Sequence, residues 1–449
     1  MEQTIAAIAT GSGEGGIGIL RISGPRSLEI VKPMFKPRRL GAWDNPVSHQ
    51  LILGECYDRE QLLDQVMAVY MKGPHSFTGE DVVEIHCHGG YFVQERILDA
   101  LIRGGAVPAQ PGEFSRRAFL NGKLDLIQAE SIIDVIQSTS DRGLALAAQH
   151  LQGGLSEEIN ELGDRLLTLI AHLEATLDFP EDEIDVLPEE DLTRTVEEIR
   201  DQLRDLTASY HQGKLVREGI RTVIAGKPNV GKSSLLNSLL RENRAIVTEI
   251  PGTTRDTIEE LLNMDGMLLR IIDTAGIRDT EDAVERIGVD KSRASIEEAD
   301  LVILLLDSTT GITPEDRDIE RYLQNSGKPY FRVWNKQDLT PVPPEAGEIA
   351  ISAREKHGFE RLSAMIRTKV QLQEHHISRR TVTRKRHFML LNQATEHLDA
   401  YLAGLEDGLP ADFLSIDLRS AWEEVNQITG KHLTEDLFDR IFSEFCIGK

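Results

Sequence analysis

A glycine-rich segment, Gly226–Ser233, fits the spacing G-x-x-x-x-G-K-[ST] and is the stretch best suited to chemistry. It follows the apolar run Thr222–Ala225 and opens a stretch of helical spacing, which is the context that the motif requires. Glycines let a backbone wrap around phosphates, while backbone N–H groups and a helix N-terminus supply positive potential. Lys232 adds a point charge at the outer phosphates, and Ser233 offers a hydroxyl to Mg²⁺. The segment therefore predicts a site for a triphosphate and magnesium.

Three more short motifs come where later apolar runs end: Asp273–Gly276, Asn335–Asp338 and Ser352-Ala353. The Asp338 carboxylate only accepts hydrogen bonds, so it suits the N1–H and N2–H₂ donors of guanine, a pair that adenine lacks. A polar site of this kind discriminates by about 10⁴–10⁵. Since open α/β sheets bind ligands at the carboxyl ends of their strands, the motifs together predict a GTP site.

The segment Gly252–Asp256 has no strong strand pattern and is predicted to be a mobile loop. Thr254 is its natural second hydroxyl for Mg²⁺, and ordering by the γ-phosphate would make the loop a switch. The residues that these motifs predict to contact GTP are Asn229, Val230, Gly231, Lys232, Ser233, Ser234, Gly252, Thr253, Thr254, Asp273, Thr274, Ala275, Gly276, Asn335, Lys336, Asp338, Ser352 and Ala353. Ile277 occupies the position where Ras-like GTPases carry a water-orienting glutamine, so hydrolysis needs a polar group from elsewhere.

The 449 residues suffice for about three domains and carry a formal net charge of −24. Nucleic-acid-binding surfaces are usually basic, because phosphate neutralisation supplies affinity, so the acidic total disfavours broad nucleic-acid binding. A basic cluster within Arg379–Arg386 is interpreted as a solvated linker, with a local contact to nucleic acid left open.

Cysteine usage and hydropathy bear on the compartment. Cys56, Cys87 and Cys446 cannot all pair, which suits a reducing environment. No charged-then-apolar leader opens the sequence, and the most apolar run, Leu301–Leu306, is too short to cross a bilayer. We therefore expect a cytoplasmic protein.

Periodicity separates three kinds of region. Strand-like runs such as Ile17–Ile22 and Val82–Ile85 alternate with predicted loops such as Gly11–Gly18, which indicates an N-terminal α/β domain. Apolar residues stepping by three or four then predict helices on both sides of a second α/β segment, and they indicate helical core rather than a cofactor site. These residues are Leu155, Ile159, Leu162, Leu166, Leu169, Leu173 and Leu177, then Leu192, Val196, Ile199, Leu203, Leu206 and Tyr210, and later Leu391, Leu398, Leu402, Leu414, Leu418, Trp422 and Val425.

The predicted fold class is therefore α/β plus all-α, in three domains. An N-terminal α/β domain occupies residues 1–120, and a helical domain occupies residues 121–216 and 378–449. A Ras-like P-loop domain with a mostly parallel, doubly wound sheet is inserted at residues 217–377. Tolerated insertions have ends that lie close together, which this arrangement permits.

Ten segments carry a resemblance to a known family. They are Gly226–Ser233, Gly252–Asp256, Asp273–Gly276, Val284–Gly288, Phe445–Lys449, Gly18–Gly24, Ser76–Asp81, His88–Gly90, Pro111–Ser115 and Phe119–Lys123. Together they resemble the MnmE (TrmE) family of tRNA-modification GTPases over essentially the whole chain, with Lys227 and Gln337 at variable positions. The resemblance implies a K⁺-stimulated GTP hydrolase, activated by dimerisation. With a flavin-dependent partner, MnmG (GidA), it would install a carboxymethylaminomethyl- or aminomethyl-type group at C5 of the wobble uridine of certain tRNAs.

The resemblance also implies cofactors and site residues. A 5-formyl- or methylene-tetrahydrofolate binds the N-terminal domain, which forms the homodimer, and the matching folate contacts are Arg21, Glu84, Lys123 and Lys449. A K⁺ ion assists where two G domains meet, and its matching ligands are Asn229, Thr248, Ile250 and Thr253. The resemblance also adds Thr248, Glu249, Ile250 and Pro251 to the predicted GTP contacts. Glu285 matches the catalytic, water-orienting residue, which answers the gap at Ile277. The partner, in a heterotetramer or larger complex, is expected to hold much of the tRNA.

Two further segments have alternative interpretations. The run His86-Cys87-His88 invites a metal, but on a strand the two histidines face one side and Cys87 the other. No fourth ligand is evident, so zinc is a minor alternative. The tail Cys446–Lys449 has prenylation spacing, but Gly448 and Lys449 do not fit that motif. The Cys446 thiol is a candidate functional group, with structural burial as the alternative.

Two other functions stay open at this stage. One is a regulatory GTP switch in ribosome or complex assembly without a folate step, and folate binding by residues 1–120 would separate it from the leading hypothesis. The other is an interaction scaffold with a structural nucleotide, which GTP turnover rising with K⁺ over Na⁺ would exclude.

Overall fold

The computed structural model describes residues 3–11, 13, 15–178, 189–243, 260–272, 294–370, 378–432, 435–443, 445 and 448. The strands are β1 Ile5–Ile8, β2 Gly15–Ser23, β3 Phe35–Pro37, β4 Ile52–Asp58, β5 Gln61–Met71, β6 Val82–Gly89, β7 Val107–Pro108, β8 Ile220–Ala225, β9 Glu260–Met264, β10 Met267–Ile271, β11 Leu301–Asp307, β12 Tyr330–Asn335 and β13 Ile349–Ala350. The helices are α1 Ser27–Val31, α2 Tyr91–Arg103, α3 Glu113–Leu120, α4 Leu126–Gln137, α5 Asp141–Leu151, α6 Gly154–Asp178, α7 Glu189–Glu218, α8 Lys232–Asn243, α9 Pro314–Ser326, α10 Phe359–Lys369, α11 Lys385–Glu406, α12 Ala411–Thr429 and α13 Glu435–Ser443.

The chain forms two compact units. One comprises Met1–Ile133 with Val425–Lys449, and the other comprises Asp134–Glu424. The three-domain limits drawn from the sequence stay a prediction. Within the described residues, no helix is long and apolar enough to cross a bilayer.

The first unit contains a seven-stranded sheet in the order β3-β4-β5-β6-β2-β1-β7. Neighbouring strands are antiparallel except β1 and β7, which are parallel. Buried residues of β2 and β6, such as Leu20 and Ile85, pack with Ile97 and Leu101 of α2. Alternation on the strands and a helical stripe on α2 thus build one core, and the predicted α/β character is confirmed.

One predicted loop is partly wrong. Strand β2 begins at Gly15, inside the range Gly11–Gly18 that the glycines suggested was a loop. Gly15 pairs with Gly89, and a Cβ atom at Gly89 would lie 2.3 Å from the Gly15 carbonyl oxygen. The glycines here permit a close approach of two backbones rather than a turn.

The predicted helical stripes are confirmed in the second unit. Helix α6 buries Leu155, Ile159, Leu162, Leu166 and Leu169, helix α7 buries Val196, Ile199, Leu203 and Leu206, and helix α11 buries Leu391 and Leu398. Side chains three or four residues apart share one face of a helix, so each stripe supplies a continuous apolar surface to the bundle.

The same unit holds a six-stranded sheet in the order β13-β12-β11-β8-β10-β9. All its neighbouring strands are parallel except β9 and β10. Leu301, Ile303 and Leu305 of β11 belong to a core with α8 and α10, whereas Val302 and Leu304 belong to a core with α9. Both faces of the sheet are therefore covered, as a doubly wound sheet requires, and the predicted α/β plus α fold class is confirmed.

Candidate functional site

The phosphate-loop motif lies where the sequence placed it, between the end of β8 and the start of α8. Gly226 has a φ of 153°, and a Cβ atom there would lie 2.5 Å from the Leu305 carbonyl oxygen. Gly231 has a φ of 100°, and its Cβ atom would lie 2.3 Å from Asn335 Nδ2. Between them Val230 is fully buried in the core. Only glycines allow this loop to lie against two neighbouring strands.

Lys232 begins α8, and its ammonium bonds back into the loop. Its Nζ donates to the carbonyl oxygens of Gly226 at 2.6 Å and Lys227 at 3.0 Å. The loop thus curves around a positive charge at the N-terminus of a helix, with Ser233 and Ser234 in the first helical turn. This arrangement of charge and helix dipole suits a polyphosphate.

The Asn335–Asp338 segment is bonded to the phosphate loop. Asn335 is buried, donates from Nδ2 to the Val230 carbonyl at 2.9 Å and accepts the Ala353 N–H at 3.0 Å. Ser352 donates to Asp338 Oδ1 at 2.7 Å. Three of the sequence motifs are therefore in direct contact at one edge of the sheet, and Asn335 connects them.

Lys336 adds a second connection, and its partner Asp307 is a residue that no sequence motif indicated. Its Nζ donates to the Asn229 carbonyl at 2.8 Å and to Asp307 Oδ2 at 2.6 Å. Asp307 also accepts the Thr309 N–H at 2.9 Å and hydroxyl at 2.6 Å. Burial alone would raise the pKa of Asp307, but these hydrogen bonds and the Lys336 charge hold it below its usual value. The available signal was an acidic residue ending a fully buried strand beside the strand of the phosphate loop.

Other predicted residues lie outside the described part of the chain. These are Thr248, Glu249, Ile250, Pro251, Gly252, Thr253, Thr254, Asp273, Thr274, Ala275, Gly276, Glu285, Cys446 and Lys449. Their assigned roles stay predictions.

Comparison with known proteins places the chain in a family. A family model described as the MnmE helical domain matches residues 126–446, and one described as the GTP-binding protein TrmE N-terminus matches residues 4–123. The tRNA modification GTPase MnmE of Desulforamulus reducens is 46% identical, and that of Clostridioides difficile 44%, each over 100% of both chains. This chain belongs to the MnmE family.

A solved structure is also similar to this MnmE-family chain. It is that of Era in complex with MgGDPNP and nucleotides 1506-1542 of 16S ribosomal RNA, at 26% identity. The match covers 39% of this chain and 65% of that chain, with a TM-score of 0.28.

Two of the predicted folate contacts of this MnmE-family chain form an ion pair. Arg21 and Glu84 face each other across β2 and β6, and Arg21 Nε donates to Glu84 Oε1 at 2.8 Å. The guanidinium of Arg21 lies 5.3 Å from the ring centroid of Phe77 and 5.7 Å from that of Phe114. Lys123 donates to the Pro74 carbonyl at 3.0 Å. Phe77 and Pro74 both lie in the loop between β5 and β6. Arg21, its partner Glu84 and Lys123 are therefore all close to this loop.

A histidine beside the Arg21–Glu84 pair helps to lower the pKa of Glu84. Burial alone would raise the pKa of Glu84, but His86 and Arg21 together hold it below its usual value. His86 Nε2 lies 3.4 Å from Glu84 Oε2. A guanidinium beside aromatic faces, with a partly buried carboxylate, suits a flat, polar heteroaromatic ligand.

The histidines do not form a metal centre within the described residues, where no group of three or more ligands occurs. His88 instead bonds Asp64 Oδ1 through Nδ1 at 2.7 Å. The buried Cys87 thiol donates to the Gly18 carbonyl at 3.4 Å. The minor zinc alternative gains no support from this part of the chain.

Three arginines of the basic cluster lie beside carboxylates. Arg379 lies 3.5 Å from a Glu157 oxygen and Arg380 lies 3.0 Å from a Glu158 oxygen, both on α6. Arg384 bonds Asp134 of α4 at 2.8 Å, with both side chains mostly buried. The mostly buried Arg384–Asp134 pair ties the segment to its neighbours, so the segment is more than a solvated linker.

Proposed function

We propose that this chain is a K⁺-stimulated, dimerisation-activated GTP hydrolase of tRNA wobble-uridine modification. As a member of its family the chain is a tRNA modification GTPase. One observation supports the nucleotide-binding part of this proposal: Asn335 joins the phosphate loop to Ala353, while Ser352 bonds Asp338. These bonds are consistent with one site whose proposed triphosphate end is the phosphate loop and whose proposed base end is Asp338.

Base selection follows from the chemistry of Asp338. Ser352 occupies one carboxylate oxygen, and the carboxylate accepts hydrogen bonds without offering one. Guanine presents two adjacent donors on its edge, so it pairs with Asp338, whereas adenine would leave a desolvated carboxylate unpaired. Leaving such a group unpaired costs more than the net gain from one hydrogen bond, which gives strong discrimination.

Two cations complete the proposed site. Ser233 and Thr254 would hold Mg²⁺, and the position of Ser233 beside Lys232 at the start of α8 fits that role. Asn229 would hold K⁺ together with Thr248, Ile250 and Thr253. Asn229 is exposed while its carbonyl accepts Lys336, which fits a role toward a second G domain. The two ions supply positive charge where negative charge develops on the transferred phosphoryl group.

The N-terminal domain is proposed to bind a 5-formyl- or methylene-tetrahydrofolate. Arg21, Glu84 and Lys123 support this by their placement around the loop of Phe77, and Lys449 is proposed to join them. The Arg21–Glu84 pair would orient the polar edge of the pterin, and the aromatic rings would cover its face. Cys446 is a candidate thiol near the end of the same unit.

The remaining parts of the proposal concern partners. The homodimer would bring two G domains together, and the flavin-dependent MnmG would complete the modification of tRNA. The acidic charge of −24 supports a division in which the partner supplies much of the tRNA affinity.

The test uses the purified full chain. Calorimetry should show GTP binding and no comparable ATP binding, and turnover should rise when Na⁺ is replaced by K⁺. ATP preferred over GTP, or neither bound, would reject the nucleotide assignment. Isotopic 5-formyl-tetrahydrofolate should bind the same chain and should be lost in Arg21→Met, with Arg103→Met as a matched control on the exposed pair with Asp58. Absent folate binding would favour the regulatory switch without a folate step.

A further inference from the structure

We infer that Lys227 is a positioning residue of the phosphate loop, held by Asp316 at the start of α9. The inference rests on the proposed GTP site and concerns how its loop is fixed. Lys227 is the second residue of the motif G-x-x-x-x-G-K-[ST], a position that the motif leaves unspecified. The structure shows why a cation at this position has a defined partner.

The Lys227 ammonium is surrounded by oxygen atoms. Nζ donates to Asp316 Oδ2 at 3.0 Å, to Thr310 Oγ1 at 3.1 Å and to Thr313 Oγ1 at 3.2 Å. An ammonium has three protons, and these three acceptors match them. The side chain therefore has one well-determined position, although Lys side chains usually lose much rotamer freedom to reach one.

Because the Lys227–Asp316 pair is buried, losing either partner is costly. Asp316 is 1% exposed, and the Lys227 side chain is 12% exposed. The same Asp316 oxygen accepts the Thr313 N–H at 2.9 Å and hydroxyl at 2.7 Å, so it also caps α9. A buried carboxylate with these donors is fixed in place, and removing its cation would leave an uncompensated charge in a poorly solvated position.

The backbone of Lys227 transmits this anchoring to the loop. Its carbonyl accepts the Lys232 ammonium at 3.0 Å, beside the Gly226 carbonyl that accepts the same group. The other side of the loop is held separately, since Lys336 bonds the Asn229 carbonyl and Asn335 bonds the Val230 carbonyl. Asp316 therefore secures the Gly226–Lys227 side, and the Asn335-Lys336 segment secures the Asn229-Val230 side.

Loss of the Lys227–Asp316 pair is expected to weaken binding of the phosphates rather than of the base. The loop presents its amides to phosphates, while the base is selected by Asp338 on a different segment. If the Lys227–Asp316 pair positions the loop, its loss weakens GDP and GTP binding but leaves guanosine binding nearly unchanged. A merely structural pair would lower stability and weaken all three ligands together.

The experiment compares Lys227→Met, Asp316→Asn, Lys227→Arg and the double variant Lys227→Met/Asp316→Asn in the full chain. Asp318→Asn is the matched control, because Asp318 lies on the same helix in an exposed pair with Arg321. Affinities for GDP and guanosine are measured by displacement of a fluorescent GDP, and thermal unfolding is recorded for each variant. The double variant removes both charges, so it keeps the test valid if a single variant does not fold.

We expect Lys227→Met and Asp316→Asn to lose GDP affinity by about tenfold, the effect of one charge-assisted interaction. Lys227→Arg should recover most of it, and the double variant should regain thermal stability without regaining GDP affinity. Unchanged GDP affinity, or parallel losses for GDP and guanosine, would overturn the inference. Failure of the unmodified chain to bind GDP or GTP would instead count against the proposed function.

Discussion

At the residue scale, one amide organises the candidate site. Asn335 uses both ends of its side chain, donating to the phosphate loop and accepting from Ala353. In the proposed GTP site, such a residue would favour nucleotide binding by fixing two neighbours rather than by supplying charge. Asp307 acts in the same way through Lys336, whose ammonium it holds at 2.6 Å. Pre-organised neighbours of this kind lower the entropy lost on ligand binding.

Asp338→Asn is predicted to exchange guanine for xanthine specificity. The remaining side-chain oxygen still accepts the Ser352 hydroxyl, so the new amide donor faces the base. We expect GTP affinity to fall by at least about a hundredfold, because a donor then meets the donors of guanine. Affinity for xanthosine triphosphate, which has a carbonyl in place of the amino group, should rise. Competition assays measure both, with Asp265→Asn in the exposed β9–β10 turn as the control, and equal losses for both nucleotides would contradict the prediction.

Glu285→Ala is predicted to separate binding from hydrolysis. Ile277 cannot orient water through its side chain, so removal of the proposed orienting carboxylate should abolish K⁺-stimulated turnover. Affinity for GTP should stay as it was, since the carboxylate is proposed to act on water rather than on the nucleotide. Turnover in K⁺ and in Na⁺ is compared with GTP dissociation constants, and Glu281→Ala serves as a control in the same acidic segment. Undiminished hydrolysis would reject the role of Glu285.

At the element scale, strands β12 and β13 are held by side-chain hydrogen bonds that lie away from the proposed GTP site. Arg332 on β12 bonds Glu320 of α9 at 2.7 Å and Glu348, just before β13, at 2.8 Å. Glu348 also accepts the Trp334 indole N–H at 2.7 Å. Because β13 leads directly to Ser352-Ala353, this network holds the strand that carries one wall of the proposed base site.

The network predicts a pH-dependent contribution to stability. Burial alone would raise the pKa of Glu348, but hydrogen bonds from Arg332 and Trp334 hold it below its usual value. Its stabilisation is therefore present above the unfolded-state pKa of about 4.3 and is lost as the pH falls through the lower folded-state pKa. The stability difference between the unmodified chain and Glu348→Gln should shrink from pH 6 to pH 3, as measured by urea unfolding, with Glu345→Gln as control. A difference that stays constant over this range would exclude the linkage.

At the scale of the whole molecule, the chain is acidic, and carboxylates lie beside arginines of its basic cluster. The chain carries a formal net charge of −24, yet its most basic cluster is tied to carboxylates of α4 and α6. Counterion release, the main source of nucleic-acid affinity, is smaller where cations are already paired. This supports the proposed division in which a partner holds much of the tRNA.

Replacing the exposed cations of this cluster tests that division. The variant Arg379→Gln/Arg380→Gln/Lys385→Gln keeps the Arg384–Asp134 pair intact. We expect tRNA affinity of the complex with the proposed flavin-dependent partner to change by less than about threefold, because Arg379 and Arg380 already lie beside carboxylates and the partner is proposed to supply most of the affinity. Filter binding over a salt series measures this, with Arg194→Gln/Arg321→Gln as a charge control. A large loss, with or without the partner, would show that the cluster itself binds tRNA.

Periodicity and motif context were sufficient for much of the fold. The stripes of α6 and α7 and the alternating α/β segment were predicted because helical and strand spacing are local properties of the chain. The strand Ile17–Ile22 is predicted, but its extension back to Gly15 is not, since the pairing of Gly15 depends on a close approach to Gly89 that no local pattern records. Local sequence patterns predict helices and strands well, but they do not show which strands pair.

The residue types and spacing by themselves determined the chemistry of the nucleotide site. A glycine loop, a lysine and an acceptor-only carboxylate have properties that need no partner to be recognised. Tertiary structure alone decided which partners the cations of the chain have. Asp307 holds Lys336 and Asp316 holds Lys227 beside the proposed nucleotide site, and Asp134 holds Arg384 in the basic cluster. These contacts join residues far apart in the chain, and their strength comes from burial and distance, which exist only once the chain has folded.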